Sequence, residues 1–453
     1  MGESPAVLAA LIVLCTPAMV AFPAALAAEG SPATADHPAA AALDRAHADH
    51  WIARCASADH VALDAAGVAA LNRRLLDSDR SMRDLAALPE ELPAQTVRET
   101  VATLAKLPDM KLAFDGGGPV GPADLDRWLA AVDLDGIPAR VTPRFAVVTR
   151  RAALRRFPTR ERIHRADGPA DIDRLQESAF FPGTPVAAVH ATPAGDWTFV
   201  LGTNYAAWIE TGALAFAPRD AVLDVARRST RIVVAPRATA VPPGGGEGVV
   251  LDMATALPAE GDAASVVALP VRTADGGLSL AAARVDPADA LRDGPLPASR
   301  RNLLAQAFRF LGERYGWGHD GGTRDCSGFV GDVYKSLGIL LPRNTGDQAA
   351  SPAFARTVVE PGWDHARRRA ALDALLPGDL VFVPGHVMMI VGHDEEGPWV
   401  IHDTHDGRVA GDPQPANGVV VAPLERMRPA EGGGMIDRIT TLVRVLPTPA
   451  AGP

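Results

Sequence analysis

Of the three cysteines in this 453-residue chain, Cys326 has the most informative neighbours. It lies in Gly-Gly-Thr-Arg-Asp-Cys-Ser-Gly-Phe-Val, residues 321–330. Asp325 fits a helix N-cap and Cys326 the first turn behind it. A thiol there sits beside unpaired backbone N–H groups at the positive end of the helix dipole, and both favour the thiolate. A thiolate is the nucleophile that attacks an amide carbonyl, and the same N–H groups suit the oxyanion that forms. The chemistry also needs a base. Four of the twelve histidines, His386, His393, His402 and His405, fall in a strand-rich end. His386 opens the run His-Val-Met-Met-Ile-Val-Gly, and His402 closes Trp-Val-Ile-His. On neighbouring strands His402 would accept Nδ1–H from His386 and fix its tautomer. His393 and His405 fall in apparent loops and read as surface residues.

Other chemistries compete for these residues. Four histidines in one stretch suit a metal, but the chain has no H-E-x-x-H and no C-x-x-C, so no metal and no cofactor are expected. A Cys55–Cys326 disulfide is the alternative for an exported chain. Cys55, beside Trp51 and Ile52, reads instead as a small buried hydrophobe. Tyr315 and Trp317 in Arg-Tyr-Gly-Trp-Gly are either core aromatics or walls of a cleft.

The elements that must position these groups follow from periodicity. Residues 300–311 place Leu303, Leu304, Ala307, Phe308 and Leu311 on one helical face. Residues 326–337 do the same with Phe329, Val330, Val333 and Leu337, and Gly338 stops that helix. Strand-like runs follow, so helices come first and strands later, as in an α+β domain. Upstream, residues from about 40 to 135 carry three- and four-residue apolar spacing, with Val97, Val101, Leu104 and Leu107 on one face. From residue 140 short β-branched runs alternate with turn signals and predict a small barrel, and a second β-rich stretch follows.

Acidic residues outnumber basic ones by 54 to 44, for a net charge of -10. This argues against nucleic acid as a partner. At 47% hydrophobic the chain can fill several cores. Only three residues are lysine, 106, 111 and 335, and the other basic residues are arginine. The first 27 residues form an apolar run broken by Pro17 and Pro23 and ending in Ala25-Leu26-Ala27. They predict a cleaved export signal, with an anchored or Cys15-lipidated form as the alternative, and no stable membrane insertion once the signal is gone.

Taken in order, Tyr-Gly-Trp-Gly (315–318), Asp-Cys-Ser-Gly-Phe-Val (325–330), Leu-Pro-Arg-Asn-Thr-Gly-Asp-Gln (341–348), Leu-Pro-Gly-Asp-Leu-Val-Phe-Val (376–383), the His386 strand and Trp-Val-Ile-His-Asp-Thr (399–404) resemble the NlpC-type cell-wall cysteine peptidases. The resemblance implies a papain-like α+β domain over residues 298–446. Cys326 matches the nucleophile, His386 the base and His402 the residue that orients it. Asp325, Ser327 and Tyr315 match residues that hold the free amino end of L-Ala-γ-D-Glu, and Trp317 stands beside them. Upstream, residues 28–138 resemble a helical stabilising segment and 139–226 an SH3-like β-barrel, with Tyr205 reaching the cleft. Residues 227–290 resemble a second, diverged SH3-like barrel. Some relatives use an acid of the barrel for the ligand amine, and Glu210 is the candidate. One departure is His319-Asp320, where many members continue differently after the Trp-Gly, which puts the cleft wall in question.

The expected activity is hydrolysis of peptidoglycan stem peptides or muropeptides at the γ-D-glutamyl bond to the diamino acid, by an exported periplasmic or secreted enzyme. The alternatives are a non-catalytic wall- or peptide-binding protein and a thiol amidase or acyltransferase on the same fold.

Overall fold

The computed structural model describes residues 44–429 and 432–448. The export signal expected over residues 1–27 lies outside them. Among the described residues no helix is long and apolar enough to cross a membrane.

Among the described residues the N-terminal region holds four α-helices: α1 (Ala48–Arg54), α2 (Ala65–Ser78), α3 (Ala94–Leu104) and α4 (Pro122–Val132). They do not share one core. Trp51, Leu71 and Leu75 join the core of the C-terminal domain, whereas Val97, Val101, Trp128 and Val132 join that of the barrel. Short strands fix this division. Val61–Leu63 pairs with Ala298–Ser299 and Leu112–Phe114 pairs with Ile163–Arg165. A helix of seven to fourteen residues is marginal alone, so each is held by the surface that takes its apolar face.

The barrel is one antiparallel sheet of seven strands: β1 (Arg144–Val148), β2 (Ala152–Arg155), β3 (Gln176–Phe180), β4 (Pro185–Ala191), β5 (Trp197–Leu201), β6 (Ala206–Glu210) and β7 (Leu214–Phe216). Their order is β7-β1-β4-β5-β6-β2-β3. Phe199 and Trp208 face each other across β5 and β6, their rings edge to face at 5.5 Å. Helix α5 (Arg219–Arg227) leads to the second β-rich stretch. That stretch, which resembles a second SH3-like barrel in sequence, forms two small sheets. Four strands, β8 (Arg237–Val241), β9 (Val249–Asp252), β10 (Val266–Arg272) and β11 (Leu278–Asp286), stand in the order β9-β8-β11-β10. Arg231–Val233 forms a separate three-stranded sheet with Ala256–Leu257 and Leu291–Asp293.

The C-terminal domain opens with α6 (Arg300–Phe308), α7 (Cys326–Ser336), α8 (Thr345–Ala350) and α9 (His365–Asp373). Its main sheet runs β12-β17-β13-β14-β15-β16, formed by Ala355–Val358 (β12), Leu380–Val383 (β13), His386–Asp394 (β14), Gly397–Val409 (β15), Ala416–Pro423 (β16) and Thr441–Arg444 (β17). His-Val-Met-Met-Ile-Val lacks the polar alternation of a half-exposed strand because both faces are covered. Val387, Met389 and Val391 pack in the core that holds α7, and Met388 and Ile390 in the core with Leu372 of α9. Helix α7 begins at its Asp325 cap and ends where Gly338 turns left-handed at φ 80°.

Trp51 ties α1 to this domain. Its ring is fully buried, lies 5.5 Å from that of Trp399, and fills the space a Cβ on Gly392 would need. Trp51→Ala is expected to destabilise the chain by about 3–5 kcal/mol. Denaturant unfolding checks this, and a loss under about 1 kcal/mol would show that α1 does not depend on that contact.

Candidate active site

Cys326 is the first residue of α7 and is buried. Its sulfur lies 3.7 Å from Thr345 Oγ1, and the backbone N–H of Val387 also reaches it. The start of α7 therefore meets the start of β14, which carries His386. His386 Nε2 is 2.8 Å from His402 Nδ1, with the rings edge to face at 5.1 Å. The sequence pointed to Nδ1 of His386 for this contact. The β13–β14 hairpin presents Nε2 to His402 instead and leaves Nδ1 for another partner.

Asp325 works inward. Its carboxylate accepts from the Gly328 and Gly318 amides at 2.8 and 3.0 Å. Arg343 donates to both of its oxygens, at 2.7 and 3.1 Å. Ser327 Oγ donates to Asp325 at 3.2 Å and accepts from Arg343 at 2.9 Å. Arg343 also donates to Ser178 Oγ of the barrel at 2.6 Å and to His319 Nδ1 at 3.0 Å. His319 is thus buried among these groups, in a left-handed conformation at φ 63°, and is no open wall of the approach. Asp320 pairs with Arg162 at 2.7 Å.

Tyr315 lies near Cys326, with its ring edge to face with that of His405 at 5.8 Å. Burial, then the nearby Cys326 and Asp325 charges, push its phenol above the usual range. Trp317 spends its indole N–H on the Gln176 carbonyl of the barrel at 3.0 Å, under the Arg174 guanidinium. It sits on the seam between barrel and C-terminal domain. Tyr205 donates to Glu177, and burial followed by that carboxylate raises its phenol. Glu210 is committed to Arg150 and Arg160, and the acid beside Tyr205, Glu177, is paired with Arg156 at 2.5 Å. His393 and His405 lie on strands, where loops were expected. His393 meets the Leu372 carbonyl at 3.2 Å, and His405 pairs with Asp171 at 3.0 Å. Cys55 and Cys326 are both free thiols, and Cys55 is only half-buried. Among the described residues no group of three or more acidic, histidine or cysteine side chains could hold a metal.

Several groups were not singled out from the sequence: Arg343, Thr345, Glu177 and Asp403. Arg343 stood in the Leu-Pro-Arg motif, and an arginine directly after the apolar Leu340-Leu341-Pro342 was the signal for a buried partner. Asp403 is fully buried and neither of its oxygens has a hydrogen-bond partner in the described residues. Burial, then the Asp325 and Glu313 charges, push it up to about 9. Nothing in the sequence distinguishes it from a surface acid on a strand.

The electrostatics differ from those expected of a helix-end thiol. Burial, then the Asp325 carboxylate, pushes Cys326 up to about 12, against the pull of Thr345 and the Val387 N–H. Burial pushes His386 down to about 4. In the unliganded chain the thiol and the imidazole are both neutral. In the Cys55→Ser protein, alkylation of Cys326 by iodoacetamide is therefore expected to rise with pH beyond about 9. A rate already at plateau by about pH 6 would show a preformed thiolate.

Asp325 behaves oppositely. Burial would raise it, but the Arg343 charge and hydrogen bonds outweigh this and hold it at about 2 against 3.8. A depressed carboxyl stabilises the fold above its unfolded value, here by roughly 2 kcal/mol, and that contribution is lost as pH falls from about 4 to 2. Arg343→Met removes the opposing charge, so its acid-unfolding midpoint is expected to move to higher pH. A midpoint that stays in place would remove Arg343 as the stabilising partner.

Comparisons with known proteins agree with this layout. Residues 312–422 match the NlpC/P60 family model, and residues 162–210 match that of the SH3 domain of SH3b1 type. A probable endopeptidase p60 from Listeria welshimeri is 36% identical over 99 residues, which is 20% of this chain and 16% of that protein. A gamma-D-glutamyl-L-lysine dipeptidyl-peptidase from Bacillus cereus is 31% identical over 137 residues, 29% of this chain and 34% of that protein. The chain thus spans about a third or less of the length of these relatives. The solved structure of an NlpC/P60 endopeptidase from Photobacterium damselae subsp. piscicida shares the fold, with a TM-score of 0.72 and 16% identity over 87% of this chain and 95% of that one. Residues 312–422 are therefore an NlpC/P60 family domain, on a chain that also carries an SH3 domain of SH3b1 type at residues 162–210.

Proposed function

We propose that the chain is an exported cysteine peptidase that hydrolyses peptidoglycan stem peptides at the γ-D-glutamyl bond to the diamino acid. The observation that carries this reading is that the N–H of Val387, the neighbour of His386, reaches the Cys326 sulfur at the start of α7, while His386 bonds His402 on the adjoining strand. With Nε2 of His386 donating to His402 Nδ1, Nδ1 of His386 is the nitrogen that takes the thiol proton. Because both partners rest neutral, the proton moves as the sulfur attacks the carbonyl. The imidazolium then returns it to the leaving amine, and water hydrolyses the acyl-enzyme. The Cys326 backbone N–H, at the helix start, suits the oxyanion.

Substrate choice rests on the barrel. Glu177 and Tyr205 stand on its Arg343 side, where Ser178 also reaches across. A carboxylate there suits a free L-Ala amino group, and the barrel would close that end of the cleft to longer chains. The name of the Bacillus cereus relative supports the bond class.

The chain lacking residues 1–27 is expected to cut L-Ala-γ-D-Glu-meso-diaminopimelate to L-Ala-D-Glu, and its N-acetylated copy at least a hundredfold more slowly, followed by mass spectrometry. Cys326→Ala is expected to fold and to lose all turnover. Residual cleavage by that variant would overturn the mechanism, equal cleavage of both peptides the amine-recognition argument, and transfer products in place of acids the hydrolase assignment.

A further inference from the structure

Behind α7, on the side away from its apolar core, lies a cavity of about 250 Å³. Its walls come from the barrel (Ser178–Pro185), the Thr203–Asn204 turn, Thr255–Ala256 of the second β-region, α7 itself and Leu340–Arg343. Cys326 is not among the lining residues, so this space is separate from the thiol cleft. Helix α7 shows it Gly328, Gly331 and Lys335, three positions on one helical face. A Cβ on Gly331 would meet nothing within 4 Å. An interior glycine costs a helix about 1 kcal/mol relative to alanine, and here it leaves room that no side chain of the described residues fills.

Among the described residues, three polar groups of the lining have no acceptor within 3.5 Å. His319 accepts from Arg343 at Nδ1, so its neutral ring carries the proton on Nε2. That atom is buried and unpartnered, with its nearest carboxylate, Asp332, 3.8 Å away. Thr255 is 2% exposed and its Oγ1 is equally unpartnered. Lys335 is partly buried, and the carboxylates that bear on it most, Asp332 and Asp252, are already held by Arg324 and Arg151. Asp332 also lines the cavity, paired with Arg324 at 2.8 Å. Met82, Phe180, Phe181 and Leu341 make an apolar part of the wall, and Thr184, Thr203, Asn204 and Ser229 also line it. Apolar walls with a few convergent polar groups are the make-up of a small-molecule site.

We propose that this cavity is a second ligand site, which takes a small organic carboxylate, its oxyanion on Lys335, Thr255 and His319 and its carbon chain against Phe180, Phe181 and Met82. Arg343 and Ser327 border the cavity and also hold Asp325, so an occupant would press on the layer that underlies the thiol.

The test is calorimetric titration of butyrate, and of neutral butyramide, into the chain lacking residues 1–27. Saturable butyrate binding is expected, with butyramide at least tenfold weaker. Lys335→Met removes the cation. Gly331→Leu fills the open space and leaves every charge in place. Each is expected to weaken butyrate at least tenfold, with thermal melts confirming that both variants fold. Should either variant unfold, near-isosteric Thr255→Val takes its place. No saturable butyrate binding, equal binding of the two ligands, or undiminished binding in any folded variant would overturn the proposal. The readout is binding, so the result is independent of whether the chain cuts any peptide.

Discussion

The buried ion pair between Arg343 and Asp325 is the contact on which the site depends. Asp325 has to cap α7 from inside the protein, and a buried carboxylate is costly unless it is paired and fully hydrogen-bonded. Two backbone amides and the Arg343 fork meet that demand. The remaining Arg343 donors reach Ser178 of the barrel and His319 of the approach loop. One guanidinium therefore fixes the start of the nucleophile helix, the loop before it and the barrel strand beside it. Its planar geometry permits this, where a lysine would offer a single point of charge. Arg324, immediately before the cap, makes a comparable set of contacts. It is fully buried and bonds Asp332, Glu313 and Asp252 of the second β-region.

That solution has an electrostatic consequence for the thiol. A helix start attracts negative charge, but the cap that defines this start is itself an anion next to Cys326. Burial acts in the same direction, so the two together outweigh the dipole and the Val387 amide. The resting site is a neutral thiol opposite a neutral imidazole. On the function proposed above, charge separation is left to the moment of attack, when substrate has replaced water and fixed dipoles are worth more. Asp403 extends the pattern. As a carboxyl that keeps its proton beside Asp325, it adds no second negative charge under the sulfur.

Much of this was legible in the sequence. Local rules set the helix that starts at Cys326, its Asp325 cap, its Gly338 stop and the apolar strand that opens at His386, because caps, periodicity and turn residues act over a few positions. The joint order of the motifs identified the C-terminal domain for the same reason. Tertiary structure decided the rest. Which nitrogen of His386 meets His402 depends on how two strands pair. That Tyr205 meets Glu177 while Glu210 pairs with Arg150 and Arg160 depends on strand order and on the arginines that compete for each carboxylate. The N-terminal helices divided between two cores because an amphipathic face carries no label for the surface that will bury it. The ionisation of Cys326 lay furthest from view, since a pKa is set by burial, by the Asp325 charge and by the hydrogen bonds of Thr345 and Val387, and no spacing in the chain encodes how these balance.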